Sequence, residues 1–239
     1  MKSYTVTITT YFRRFEEWLK PMVAEIKRQR PEIEIIISIN GEINKIFYED
    51  YRKNIMIFMS NYPNVFPIFY PKFRGMARLW NQNIQLSTND NVLCLEDDLT
   101  IHDGFFDEYE KYIEINSTFL INDSYSAIST TKQDMIDVGW FDERYLGLGH
   151  EDQEFTKKYN QIKGKLGSVS ISTCGNLVSN LKLKHLIETE PRLVGSTLEK
   201  QFNRYSQFNR EISDEIFNSS NKMTQYPYEL FYLTNKEKL

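Results

Sequence analysis

The stretch Asn91-Val-Leu-Cys-Leu-Glu-Asp-Asp-Leu-Thr-Ile101 decides how this chain is read, because a short apolar run in it ends abruptly in three acids. Val92 to Leu95 are continuously apolar rather than alternating, the pattern of a strand covered on both faces within a parallel or mixed sheet. Glu96, Asp97 and Asp98 arrive where that strand should emerge, and in open α/β sheets ligands gather beyond the carboxyl ends of strands. Three adjacent carboxylates repel one another unless water or a cation answers them. Their hard oxygens suit Mg2+ or Mn2+, ions that in turn hold phosphates. Taken alone, the three acids fit a solvated loop equally well, so the decision falls to the residues on either side.

Upstream, Tyr4 to Thr10 alternates and is β-branched, which predicts a first strand. Phe15, Trp18, Leu19, Met22, Val23 and Ile26 then recur at spacings of three and four, an amphipathic helix that Pro31 ends. Glu34 to Ile39 is a second buried strand closed by the turn Asn40-Gly41-Glu42. Strand, helix and strand in under forty residues make a βαβ unit. A helix around Phe47 to Arg52 and a short strand Ile55 to Met59 are expected next. A proline-punctuated extended connection follows through Pro63, Pro67 and Pro71, and then a helix from about Gly75 to Ser87.

Downstream of the acids, the pattern predicts a helix over Phe105 to Ile115 and a strand over Ser126 to Thr130. A helix opening at Glu151 and a strand over Val169 to Ser172 come after them. Phe202, Tyr205, Phe208 and Ile212 keep helical spacing within Leu198 to Ile216, and a polar tail 218–239 closes the chain as a docking arm or a mobile end.

The composition narrows the function. At 239 residues with 41% hydrophobic content, one large α/β domain with a full core is expected. A formal charge of −4 supplies no basic field, so nucleic acid is not an expected partner. No run approaches the length of a membrane-spanning helix and the N-terminus enters a strand directly, which predicts a soluble, cytoplasmic protein. Cys94 and Cys174 are too few for a disulfide framework and lack metal-ligand spacing.

Together, the strand–helix alternation, the acidic strand end and a second acidic motif downstream resemble the GT-A glycosyltransferases over roughly Tyr4 to Arg210. Leu95-Glu-Asp-Asp-Leu99 is similar to the family's D-x-D motif, with Glu in place of the first Asp; followed by Phe105-Phe106 it is closer still to the N-acetylglucosaminyltransferase I type. Asp137-Val-Gly-Trp-Phe-Asp-Glu-Arg-Tyr-Leu-Gly-Leu-Gly-His-Glu-Asp-Gln-Glu-Phe155 looks like the acceptor-side segment of family-2 glycosyltransferases and galactosyltransferases. Phe73 to Ile84 is similar to the helix start that precedes the acidic strand; Gly75 and Asn81 keep their spacing, while Trp80 and Asn83 replace the usual Arg and Gly.

The resemblance implies a single-domain GT-A fold, Rossmann-like with a mixed, mostly parallel central sheet flanked by helices. The expected domain covers 1–217, with a nucleotide-binding half at about 1–101 and an acceptor half at about 102–217. It puts Asp98 on a Mn2+ or Mg2+ ion, with Glu96 near the ribose or reaching the ion through water and Asp97 holding the loop or touching the sugar. His185 is the expected late second ligand, and His102 competes with it. Thr9, Thr10 and Tyr11, with Asn40 and Glu42, are implied at the nucleotide; Asn40 stands where the family often has a base-reading Asp. Arg74 and Arg78 are expected at the diphosphate. Asp152 is the implied base and Glu151 orients hydroxyls, with Gly149, His150 and Trp140 at the substrate. Glu151 and Asp152 also suit a helix start on electrostatic grounds alone.

The expected activity is transfer of a sugar from a nucleotide-sugar, a UDP-sugar, to a glycan or lipid-linked saccharide, with inversion and with peripheral membrane contact through the C-terminal region. Two other readings stay open. A sugar nucleotidyltransferase would carry a Gly-rich phosphate loop after strand one, and Thr9-Thr10-Tyr11-Phe12 has no glycine. A carbohydrate-binding module with a degenerate site would show binding without turnover.

Overall fold

The structure, a computed structural model, describes residues 2–11, 14–41, 49–145, 150–176 and 209–211. Strand β1 (Tyr4–Tyr11) is buried along its whole length, as is β2 (Ile35–Asn40). A π turn at Phe15–Leu19 runs into α1 (Lys20–Gln29) between them. Helix α2 (Glu49–Met59) leads to β3 (Val65–Phe69), and α3 (Met76–Leu86) leads to β4 (Asn91–Glu96). After the short β5 (Leu99–Ile101) come α4 (Phe105–Ile115), β6 (Phe119–Ile121), β7 (Ser124–Thr131) and α5 (Lys132–Val138). Helix α6 (Glu151–Ile162), β8 (Gly167–Val169) and β9 (Cys174–Asn176) complete the order.

Seven strands form one sheet in the order β3-β2-β1-β4-β7-β6-β8, and β5 pairs with β9 in a separate ribbon. Strands β1 to β4 are mutually parallel where they pair, whereas β7 lies antiparallel to β4. Because β4 alternates inside the sheet, Leu93 and Leu95 enter one apolar layer, with α1, α2 and α4. Val92 and Cys94 enter the other, with residues of α3, α5 and α6. Covering both faces in this way is what a continuous apolar run such as Val92–Leu95 requires. The sheet is mixed, mostly parallel among its first four strands, and flanked by helices, as expected.

One expected strand is a helix. Ile55 to Met59 forms the last turns of α2, where Ile55 and Met59, four residues apart, are buried and Met56 and Ile57 are exposed. The strand lies instead at Val65–Phe69, within the proline-punctuated segment read as a connection. Pro67 is tolerated there because β3 is the last strand on its side of the sheet among the described residues. The expected strand at Val169–Ser172 is shifted to Gly167–Val169, and Ile171 is instead caught by Asn122, which accepts from its N–H at 2.9 Å and donates to its carbonyl at 3.0 Å. The expected C-terminal helix falls outside the described residues except 209–211, which are helical. Among the described residues, no helix is long and apolar enough to cross a membrane.

Candidate active site

Parallel pairing brings the carboxyl ends of β1, β2 and β4 to one edge: Thr9 pairs with Ser38 and with Glu96, and Tyr11 with Asn40. Antiparallel β7 begins at that same edge, which places Tyr125 and Ser126 beside the acids. There Ser126 Oγ donates to Glu96 Oε2 at 3.0 Å.

The three acids have different surroundings. Asp97 is 1% exposed and fully engaged: Arg14 Nη1 donates to Oδ1 and Thr10 Oγ1 to Oδ2, both at 2.5 Å. Its own N–H donates to the Thr9 carbonyl at 3.2 Å. Burial opposes the charge of Arg14, but the carboxylates of Asp97 and Asp98 more than reverse this and its pKa rises. Asp98, by contrast, has a buried Oδ1 with no hydrogen-bond partner. Burial and then the Asp97 charge push its carboxyl up to about 6. Burial and the neighbouring Asp98 push Glu96 up to about 8, against the Ser126 hydrogen bond. Arg14 thus answers Asp97 directly, while Asp98 is held up by burial and the Asp97 charge, and Glu96 by burial and the Asp98 charge.

That donor set fits a hard divalent cation. Ionisation suppressed by burial and like charge is restored when a cation enters, and Mg2+ is commonly held by one or two carboxylates with the rest of its shell from substrate phosphates and water. Among the described residues no three His, Cys, Asp or Glu side chains group as a metal site. His185 lies outside the described residues. His102, at the far end of β5, is exposed, and its carbonyl accepts from Gln29 of α1.

At the carboxyl ends of β1 and β2, Thr9 carries a buried Oγ1 without a partner, and the Tyr11 and Phe73 rings stand 5.8 Å apart, edge to face. The Asn40 amide closes on Arg74, accepting from its N–H at 2.8 Å and donating to its carbonyl at 2.9 Å. Gly41 passes so close to Tyr70 and Pro71 that a Cβ there would meet both carbonyl oxygens at 2.7 Å. The charges of Arg78 and Arg74 act on Tyr70, and that of Arg78 also on Glu143. Glu42 lies outside the described residues.

The second acidic cluster is tied to the first through β7. Tyr125 shares a 2.6 Å hydrogen bond with Thr156 Oγ1, which donates to the Asp152 carbonyl at 2.9 Å. Burial raises the Tyr125 pKa, and the charges of Asp152 and Glu154 raise it further. Hydrogen bonds thus join Glu96 to Ser126 and, from its chain neighbour Tyr125, run through Thr156 to the main-chain carbonyl of Asp152. Glu151 is 5% exposed and Asp152 half-buried at the first turn of α6, where negative charge suits the helix dipole. Trp140 (φ 64°) and His150 (φ 78°) both hold left-handed backbone, a conformation that bulky residues keep only where surrounding structure imposes it. Gly149, between them, lies outside the described residues.

The sequence match that decides the family runs through both acidic motifs: the model of "Glycosyl transferase family 2" matches residues 5–174. The chain belongs to glycosyl transferase family 2. Solved structures agree on its GT-A fold. TarS of S. aureus is 16% identical with a TM-score of 0.58 over 92% of this chain and 46% of that one, and residues 1–349 of TarS have been solved with UDP-GlcNAc. The mannosyltransferase PcManGT of Pyrobaculum calidifontis, solved with GDP-Man and Mn2+, is 11% identical with a TM-score of 0.54 over 98% of this chain and 79% of that one. The 4-diphosphocytidyl-2C-methyl-D-erythritol synthase of Anaerococcus prevotii shares the fold at 12% identity and a TM-score of 0.56, over 80% and 97% of the two chains. The chain spans less than half the length of full TarS. No curated protein matches it in sequence.

Three side chains engaged at this edge carry no role in the sequence analysis. Arg14 could have been found as a cation just past β1 with three acids to answer. Asn81 keeps a family spacing, but nothing local shows that its amide closes on the Phe141 main chain. Ser126 carries no local signal, because only the antiparallel register of β7 brings it to Glu96.

Proposed function

We propose that the chain transfers a sugar from a UDP-sugar to a hydroxyl of a glycan or lipid-linked saccharide, with inversion and with dependence on Mn2+ or Mg2+. The observation that carries this reading is the buried, unpartnered Oδ1 of Asp98 beside Glu96, on the edge to which Ser126, Tyr125 and Thr156 tie the Asp152 helix. The UDP-GlcNAc and GDP-Man of the two solved glycosyltransferases support a nucleoside diphosphate sugar as donor. Uridine is the narrower choice, made on the likeness of residues 9–11.

Asp98 and Glu96 would hold the cation, which when bound neutralises charge on the departing diphosphate. Thr9 Oγ1 and the Tyr11 ring serve the nucleoside, and Asn40 sets Arg74 by its main chain so that Arg74 and Arg78 face the diphosphate. Asp97, engaged by Arg14 and Thr10, fixes the turn from which Asp98 projects. Asp152 takes the proton from the attacking hydroxyl, the role of a positioned general base. Glu151 orients the sugar hydroxyls, and His150, Gly149 and Trp140 shape the acceptor side. The C-terminal region would supply membrane contact.

The test is UDP release from a panel of UDP-sugars with and without Mn2+, for the wild type, Asp98→Ala and Asp152→Asn. Mn2+-dependent release lost in Asp98→Ala, with sugar transfer lost in Asp152→Asn, is expected. Pyrophosphate release from a nucleoside triphosphate would instead identify a nucleotidyltransferase, and glycan binding with no turnover a binding module.

A further inference from the structure

Where the acceptor-side segment begins, at Trp140 and Phe141, the main chain is gripped by side chains rather than by a neighbouring strand. The Trp140 N–H donates to the Met135 carbonyl at 2.9 Å, and the Trp140 carbonyl accepts from Lys158 Nζ at 2.5 Å. The Phe141 N–H donates to Asn81 Oδ1 at 3.1 Å, and its carbonyl accepts from Asn81 Nδ2 at 2.9 Å. Asn81 Nδ2 also reaches Glu143 Oε1 at 3.0 Å. All four main-chain groups of this left-handed corner are satisfied, three of them by two buried side chains that are 3% and 6% exposed.

Those two side chains come from different helices that share one apolar layer. Asn81 belongs to α3, whose Ala77, Trp80 and Ile84 pack with Val92 and Cys94 of the acidic strand. Lys158 lies on α6 six residues beyond Asp152 and pairs with Glu154 Oε1 at 3.0 Å. Between them the Phe141 ring stacks on Phe155 of α6, centroids 4.3 Å apart, and meets Trp80 of α3 at 4.9 Å. A buried lysine donating to a main-chain carbonyl at a disfavoured corner is an expensive way to hold a loop that needs only to be covered. It makes sense where position matters.

The geometry points to Asn81 and Lys158 as positioning residues that, through the Trp140–Phe141 corner, fix where the Asp152 helix stands relative to the Glu96–Asp98 strand end. The roles of Asp98 and Asp152 in this statement rest on the glycosyltransferase reading above. Neither side chain is assigned a contact with substrate; both act through the main chain of the corner. Misplacing a reacting group by about 1 Å costs a rate on the order of 100-fold, so releasing the corner should lower turnover and leave donor capture intact.

The experiment compares wild type, Asn81→Ala, Lys158→Met and the double variant in sugar transfer, normalised to the folded fraction by circular dichroism. Each single variant should lose about 10- to 100-fold in kcat with donor KM changed less than about two-fold. The double variant should be little worse than the poorer single one, because one corner is released only once. Should Asn81→Ala fail to fold, Asn81→Asp carries the same test, since it keeps the acceptor for the Phe141 N–H and loses the donor. Amide exchange at Phe141 supplies an arm that needs no activity: it should quicken at least about ten-fold in Lys158→Met although Asn81 is intact. Unchanged kcat per folded molecule, fully multiplicative losses, or an unaltered Phe141 exchange in Lys158→Met would each overturn the inference. A wild type that transfers no sugar overturns the functional reading instead, and the exchange arm still decides whether the two side chains hold one corner.

Discussion

Arg14 and Asp97 form a buried ion pair at the mouth of the acidic strand, 2.5 Å apart with side chains 7% and 1% exposed, and Arg14 also lies over the Trp18 ring at 4.6 Å. Its neighbour Asp98 keeps a buried oxygen without a bond. Removing one partner of a buried pair strands the other charge, at about 3–5 kcal/mol. Asp97→Ala is therefore expected to lower stability by that order in urea unfolding. Asp98→Ala is expected to leave the metal-free protein as stable as the wild type or more so, since like-charge repulsion is relieved. Mn2+ should raise the melting temperature of the wild type and not of Asp98→Ala. Equal destabilisation by the two alanines would contradict the division of roles.

The Asn40 amide makes its two bonds to the main chain of Arg74 in opposite senses, one accepted and one donated. Asn40→Asp preserves the first and sets a carboxylate oxygen against the Arg74 carbonyl in place of the second. A loss of about 1–3 kcal/mol is expected in the urea midpoint, with a raised donor KM because Arg74 moves. A variant that unfolds like the wild type would show that the clamp is dispensable.

Gly41 runs against the carbonyl oxygens of Tyr70 and Pro71, and these are backbone atoms that cannot rotate aside. Gly41→Ala is expected to displace the 70–71 segment and to lower stability by about 1–3 kcal/mol, as overpacking does. Thermal melting of the purified variant reads this directly, and an unchanged melting temperature would rule the contact unimportant.

Glu110 contributes to the acid side of the stability profile. Arg30 donates to both its oxygens at 2.8 Å and Tyr4 OH to Oε1 at 2.8 Å. The Arg30 hydrogen bonds hold its carboxyl below the usual range, burial opposes them, and Tyr4 adds to the lowering. A carboxylate whose folded pKa is depressed lends stability that is complete above its unfolded value of about 4.3 and is lost as pH falls through the folded value. The stability difference between wild type and Glu110→Gln should therefore be flat from about pH 5 to 7 and shrink below about pH 4. A difference that widens on acidification would reverse the assigned sign.

Most of the fold was legible in the chain itself. The runs Tyr4–Thr10, Glu34–Ile39 and Val92–Leu95, and the three-and-four spacing from Phe15 to Ile26, are local patterns whose burial the structure repeats. Ile55–Met59 misled because five consecutive apolar residues fit either period, and only their packing showed that Ile55 and Met59 face inward while Met56 and Ile57 do not. Pro67 misled in the opposite sense, since its exclusion from strands lapses at a sheet edge.

By itself the sequence determined the alternation of strands and helices, the two acidic motifs and, from those, the family, because each is written in residues within a few turns of one another. Only the tertiary structure decided which acid is answered and which keeps an unpartnered oxygen, that β7 runs antiparallel and brings Ser126 to Glu96, and that Asn40 and Asn81 each close on a main chain. The reason is distance along the chain. Arg14 meets Asp97 across 83 residues, and Asn81 meets Phe141 across 60. Such partners are chosen by the packing of whole layers, which no local period records.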